Sequence, residues 1–187
     1  MAKTTNQIDK TKLFVANTSF VKSMKDENPY SVKAPKELPN CAIVTLKQPG
    51  TGIDDHVYTV AAEAATSVVG KHVIVAPEIM VEQYRKTDGH IGKFRLEKDE
   101  VYSAYELNLH DRLELSETYF KDGQLEEGKY FDLDVDGKLK ASAQPTQSGA
   151  FKVISVRTMA RGVIIKPTMD GVYNGAQLKM IKVEVVK

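Results

Sequence analysis

Tryptophan is absent from this chain, cysteine occurs once, and no apolar run exceeds the length of a strand. Each absence excludes something. A single Cys41 cannot close an internal disulfide, so a disulfide-stapled secreted scaffold is excluded. The opening MAKTTNQIDK has no apolar stretch of the kind a secretory signal needs, and the expectation is synthesis and folding in a reducing host cytoplasm. Without export, the glycosylation pattern Asn17-Thr18-Ser19 carries no weight. Runs such as Val73 to Pro77 or Val163 to Ile165 fall far short of the roughly 20 residues of a membrane helix, so no membrane partner is expected. With 7% aromatic residues, the large flat rings of a sugar-binding platform are scarce.

What is present is a globular composition, 42% hydrophobic and 27% charged over 187 residues, enough for one good-sized core or two small ones. The net charge of +1 hides a strong polarity along the chain. Counted from the sequence, residues 97–136 carry 4 basic and 13 acidic side chains, whereas residues 137–187 carry 9 basic and 2 acidic. Such segments meet either as neighbouring strands of one molecule or across contacts between molecules, which leaves an oligomer or neighbouring copies on a lattice as expected partners. The cations stand singly between apolar positions with few aromatics among them, and a nucleic-acid partner is not expected.

The first 40 residues differ from the rest. Apolar side chains come in separated groups diluted by Lys, Thr, Asn and Ser, and Pro29, Pro35 and Pro39 favour extended backbone. The pattern predicts an extended N-terminal arm over 1–40, lying on its own body or on another subunit, with a short amphipathic helix near 17–26 as the alternative. Leu13, Phe14, Phe20 and Tyr30 are its candidate partner-binding anchors, since such side chains are costly to leave in water. The body then runs over 41–187, with a division into two small β modules, 41–120 and 121–187, as the alternative.

Within the body, CAIVTL (41–46) and HVIVA (72–76) read as buried strands. Residues 54–70 fit a strand at 56–62 followed by a loop or helical turn, and also fit helical spacing. Residues 78–87 read as a short helix or an irregular connection. Strands are then predicted at Ile91–Leu96, Val101–Leu109, Arg112–Ser116, Tyr130–Val135, Leu139–Ala141, Ala150–Arg157, Gly162–Lys166 and Gln177–Val186. Asp-Gly dipeptides at 88–89, 122–123, 136–137 and 170–171 supply turns that need a positive φ. Many short strands with such turns predict a mainly β fold, an antiparallel sandwich or barrel.

The clearest unit is GQLEEGKYFDLDVDGKLKAS (123–142), where Phe131, Leu133 and Val135 alternate with Asp132, Asp134 and Asp136. A three-residue connection, Asp136 to Lys138, places Val135 opposite Leu139 and Asp134 opposite Lys140, giving one apolar face and one charged face. The same aspartates match the first half of a D-x-D-x-D-G calcium loop. The expected twelfth-position Glu is Ala143, and Lys138 and Lys140 bring positive charge where ligands should be, so no metal is expected.

The remaining sequence offers little chemistry. His56, His72, His90 and His110 lie far apart in no metal-ligand spacing, and Gly70-Lys71 lacks the glycines of a phosphate loop. His110-Asp111 has the makings of an oriented base, but no serine or cysteine stands in a nucleophile context, and Cys41 sits in an apolar strand. The carboxylates Glu97, Asp99, Glu100, Glu106, Glu114 and Glu117 suit an exposed strand face. No enzyme and no cofactor are expected.

One family resemblance can be stated. LEEGKYFDLDVDGKLK (125–140) followed by GAFKVISV (149–156), with FVANTSFVKS (14–23) as a preceding arm, resembles the β modules of tailed-bacteriophage virion proteins, particularly capsid decoration or cement proteins. That resemblance implies a non-enzymatic protein that binds and reinforces the capsid surface by bridging coat subunits, with the major capsid protein as partner and the virion as its location. Another virion part, such as a tail or head-fibre protein, and a small cytoplasmic ligand-binding β-barrel are the alternatives.

Overall fold

The computed structural model describes residues 14–26, 28–61, 68–76, 94–121, 124–134, 138–145, 149–160 and 177–187. Among them the strands are, in chain order, β1 (Ala16–Asn17), β2 (Tyr30–Lys33), β3 (Leu38–Pro39), β4 (Ile43–Val44), β5 (Leu46–Pro49), β6 (Val57–Val60), β7 (His72–Val75), β8 (Arg95–Leu96), β9 (Val101–Glu106), β10 (Arg112–Ser116), β11 (Tyr130–Leu133), β12 (Leu139–Ser142), β13 (Ala150–Ala160) and β14 (Gln177–Val186). A single helical turn, α1 (Ser23–Asp26), follows β1. The fold is mainly β, as the alternation predicts.

The longest ladder is the antiparallel pair β13 and β14, and around it the first sheet takes the order β1-β10-β14-β13-β11-β12. Strict alternation along β13 would turn Phe151 and Val153 inward and then Ser155 and Arg157 inward as well. The register instead shifts between Val153 and Ser155. This one-residue bulge reverses the phase, so that Val156 packs against the core while Arg157 is directed to the solvent face.

The second sheet has the order β4-β7-β9-β2-β6-β5, with β2 and β6 parallel and the other pairs antiparallel. Its two edge strands are consecutive in sequence, separated only by Thr45. One bent segment therefore pairs with β7 through Ile43 and Val44, and with β6 through Leu46 and Pro49, and the sheet curls round until its edges meet. Val32, Val44, Ile74 and Ala104 fill its inside, with Leu96 from the small β3-β8 ribbon packed among them. Its outside carries Ile43 and Val73, which join Phe131, Phe151, Leu113 and Val183 of the first sheet in one core. Because this core draws on residues from before and after 120, a division into modules 41–120 and 121–187 does not describe the molecule.

The arm expectation needs the larger correction. Residues 14–40 are extended and lie on the chain's own body, but they are built into both layers. β1 pairs with β10, and β2 is an interior strand between β9 and β6. Val21 and Val32 are fully buried. The alternative of an amphipathic helix near 17–26 reduces to one helical turn, because β1 ends at Asn17, residues 18–22 are not helical and α1 covers only Ser23–Asp26. The physical reason is burial: Phe14, Val21 and Val32 each find an apolar site within the same chain, so they need no second subunit.

The hairpin β11-β12 also corrects the predicted register. Leu133 faces Leu139 and Asp132 faces Lys140, and the Asp134 amide donates to the Lys138 carbonyl at 2.8 Å. A shift of two residues leaves every side chain on its predicted face while changing its partner. Just past β11, Asp134 receives Lys121, whose Nζ donates to Oδ2 at 2.6 Å. Residues Val135 to Gly137, all four Asp-Gly dipeptides, residues 78–87 and the predicted strand Gly162–Lys166 lie outside the described residues.

Candidate interaction surface

The four predicted anchors have different fates. Leu13 lies outside the described residues. Phe14 is 6% exposed, edge-on to Tyr119 with ring centres 5.0 Å apart, and the Arg95 guanidinium stands 4.8 Å from its ring centre. Tyr30 is half-buried in the second sheet, edge-on to both Tyr58 and His72. Both rings are packed within the chain, Phe14 fully and Tyr30 in part. Phe20 keeps 43% of its surface exposed, and the Lys182 ammonium sits over its face at 3.7 Å from the ring centre.

The placement of Phe20 follows from the chain around it. The Val15 amide donates to Ser116 Oγ, and the Ser116 amide returns a bond to the Val15 carbonyl, fixing β1 along β10. After β1, the Ser19 amide donates to Asn17 Oδ1, turning the backbone. The Lys22 amide then donates to Asp111 Oδ1 at 2.7 Å, while the Asn108 amide donates to Asp111 Oδ2. Asp111 is buried, and its carboxylate staples the segment to the turn between β9 and β10. Val21 is drawn inward, leaving Phe20 at the surface beside β14.

Around Phe20 the solvent face of the first sheet is laid out by register. Asn17, Glu114 and Lys182 stand in one row across β1, β10 and β14. Arg157 on β13 reaches over β14 to Glu114, donating from Nε to Oε1 and from Nη2 to Oε2, and Asn17 Nδ2 donates to Oε2 at 3.4 Å. Glu114 is buried beneath these contacts, and its hydrogen bonds hold the Arg157 guanidinium more firmly protonated than usual. In the next row Glu184 accepts from Arg112 Nε and pairs with His110 Nδ1, each at 2.9 Å. The His110 contact, supported by Arg112 and opposed by partial burial, holds the Glu184 carboxyl below its ordinary range.

The depressed Glu184 carboxyl gives a pH prediction with a definite sign. Its contribution to stability is present above the unfolded carboxylate pKa and is lost as pH falls through the folded one. The gap in melting temperature between the wild type and Glu184→Gln should be widest near neutral pH and should close below the usual carboxylate range. A gap that stays constant into acid would show that the ion pairs do not stabilise the fold.

His110 and Asp111 do not form the oriented pair that their adjacency suggests, since the Asp111 carboxylate serves backbone amides and His110 turns to Glu184. His56 is exposed beside Asp55, and His72 is buried against Tyr30. No group of three or more His, Cys, Asp or Glu that could hold a metal ion occurs among the described residues. A shallow cleft of about 280 Å³ is lined by Lys129, Tyr130, Phe131 and Ala141, and it brings no catalytic pair together. No helix among the described residues is long and apolar enough to cross a membrane. On the other layer, Ile53 is 93% exposed on a 3-10 turn between β5 and β6.

Sequence reasoning found Phe20 and missed Arg157 and Lys182; it read Glu114 as an acid on an exposed strand face, whereas Glu114 is buried under Arg157. The signal for Arg157 was the consecutive apolar pair Val153-Ile154, which breaks the alternation where the bulge occurs. No protein-family model matches this chain, and no curated protein or solved structure does either.

Proposed function

We propose that this chain is a non-enzymatic structural component of a tailed-phage virion, binding the capsid surface and reinforcing it by bridging coat subunits. The observation that carries the proposal is Phe20, an aromatic ring held at the surface beside the first sheet by a set of backbone and cation contacts. An exposed aromatic set among charged neighbours, on a turn fixed by side-chain and backbone hydrogen bonds, is the composition of an interface anchor. Ile53 on the opposite layer offers a second apolar contact point, which a bridging protein requires. The inside of the curled sheet is filled by Val32, Ile74, Leu96 and Ala104, all fully buried, which disfavours a ligand-binding barrel.

The test is mechanical. Purified capsids of the encoding phage should disrupt at a higher temperature when saturated with this protein, as a ligand specific to the assembled state requires. Binding confined to isolated tails or fibres, with no effect on capsid disruption, would place the protein elsewhere in the virion.

A further inference from the structure

Resting on that reading, the structure assigns the chemistry of the partner: we infer that the solvent face of the first sheet docks onto an acidic protein surface, with Lys152 exposed on one side of it and Lys182 half-buried beside Phe20 on the other. The register brings Arg112, Lys182, Arg157, Lys152 and Lys140 onto this one face, against the carboxylates Glu114, Glu184 and Asp132. The carboxylates are turned into the sheet. Glu114 is 4% exposed under Arg157, the Glu184 side chain is 16% exposed between His110 and Arg112, and Asp132 is half-buried opposite Lys140.

The cations project further. The Arg157 and Arg112 side chains are 57% and 48% exposed, and Lys140 and Lys152 are exposed. A partner approaching this face therefore meets positive charge first, since the strands of the sheet carry six basic and three acidic residues and the acidic ones are the less exposed. Four of the nine basic residues of 137–187, Lys140, Lys152, Arg157 and Lys182, stand on this face, and the acidic groups at Glu97, Asp99 and Glu100 are carried by the turn before β9 in the other sheet.

Two observations favour protein over nucleic acid. Among the described residues the two aromatic side chains on the face, Phe20 and Tyr130, each have a lysine ammonium over one side of the ring, at 3.7 Å and 6.0 Å from the ring centre, which leaves less open π-face than a base-stacking platform offers. The arginines are held by Glu114 and Glu184 instead of standing free for phosphates. Committed, pre-positioned cations suit a fixed pattern of carboxylates.

The experiment uses the full chain, with poly-L-glutamate and a single-stranded DNA oligonucleotide as probes, alongside purified capsids. The Lys152→Glu/Lys182→Glu double variant should bind both polyglutamate and capsids at least about tenfold more weakly, with added salt weakening the wild type in the same direction. The Lys47→Glu/Lys98→Glu variant has the same net charge but is altered on the other layer, and should match the wild type within about twofold. The Lys152→Glu/Lys182→Glu variant sets like charges opposite Glu184 and Glu114 and should melt somewhat below the other two proteins, so all binding is measured well below its transition, where circular dichroism shows it folded. Capsid binding that is strong but indifferent to the Lys152/Lys182 reversal would overturn the docking face while leaving the coat-binding reading intact. Polyglutamate binding lost in that variant, in a protein that ignores capsids, would support the face and remove the coat as its partner. Tighter binding to DNA than to polyglutamate through the same two lysines would overturn the inference.

Discussion

A chain beginning at Cys41 is expected to show no cooperative thermal transition, because the segment before it supplies an interior strand. β2 lies between β9 and β6, and its loss would leave both neighbours with unpaired edges inside the curled sheet. The same truncation removes Phe14 and Val21 from the main core and Val32 from the inside of the curl. Each such side chain contributes about 1.5–3 kcal/mol when buried. Whole domains are stable by only about 5–15 kcal/mol, so the combined loss reaches the scale of the total. Circular dichroism melting decides the matter: a truncated chain that melts cooperatively within a few degrees of the full-length protein would show that residues 1–40 are dispensable to the fold after all.

The second large effect is expected at the hairpin. Leu133 is 2% exposed and faces Leu139, with Phe131 and Phe151 in the same core. Leu133→Asp places a carboxylate where no partner awaits it, at a cost of about 4 kcal/mol or more. Lys140→Ala, on the exposed face of the same hairpin, should change stability by less than about 0.5 kcal/mol. Urea denaturation of the two variants separates the faces; equal and small losses would mean that the register is wrong.

How far the sequence spoke for the structure depended on whether a signal was local. The limits of β10 and β14 are those the alternation predicts, and β11-β12 form the predicted hairpin, because period-2 patterning and burial agree there. The hairpin partners were displaced by two residues, since the pattern fixes the face but not the neighbour. Treating the stretch from Phe14 to Asn40 as separate was a misreading of dilution. Polar residues between Phe14, Val21 and Val32 suggested a strap, but those three positions enter two different cores through long-range pairing that composition does not encode. Closure of the second sheet was invisible for the same reason, because CAIVTL reads as one strand and becomes two edges of one sheet, joined at Thr45. Of the surface, Phe20 was legible as an apolar residue in a polar setting. The cation array was not, since it depends on the bulge that redirects Arg157 and on the order in which the strands meet.

Coat binding through the Phe20 face is tested most directly by co-sedimentation of purified capsids with increasing amounts of the wild type and of Phe20→Ala. The wild type should pellet to saturation at a fixed ratio to coat subunits. Phe20→Ala, melting at the same temperature, should bind roughly tenfold to a hundredfold more weakly, which corresponds to losing one buried aromatic anchor. Wild-type protein that stays in the supernatant at every concentration, or a Phe20→Ala variant that saturates the capsid as the wild type does, would contradict it.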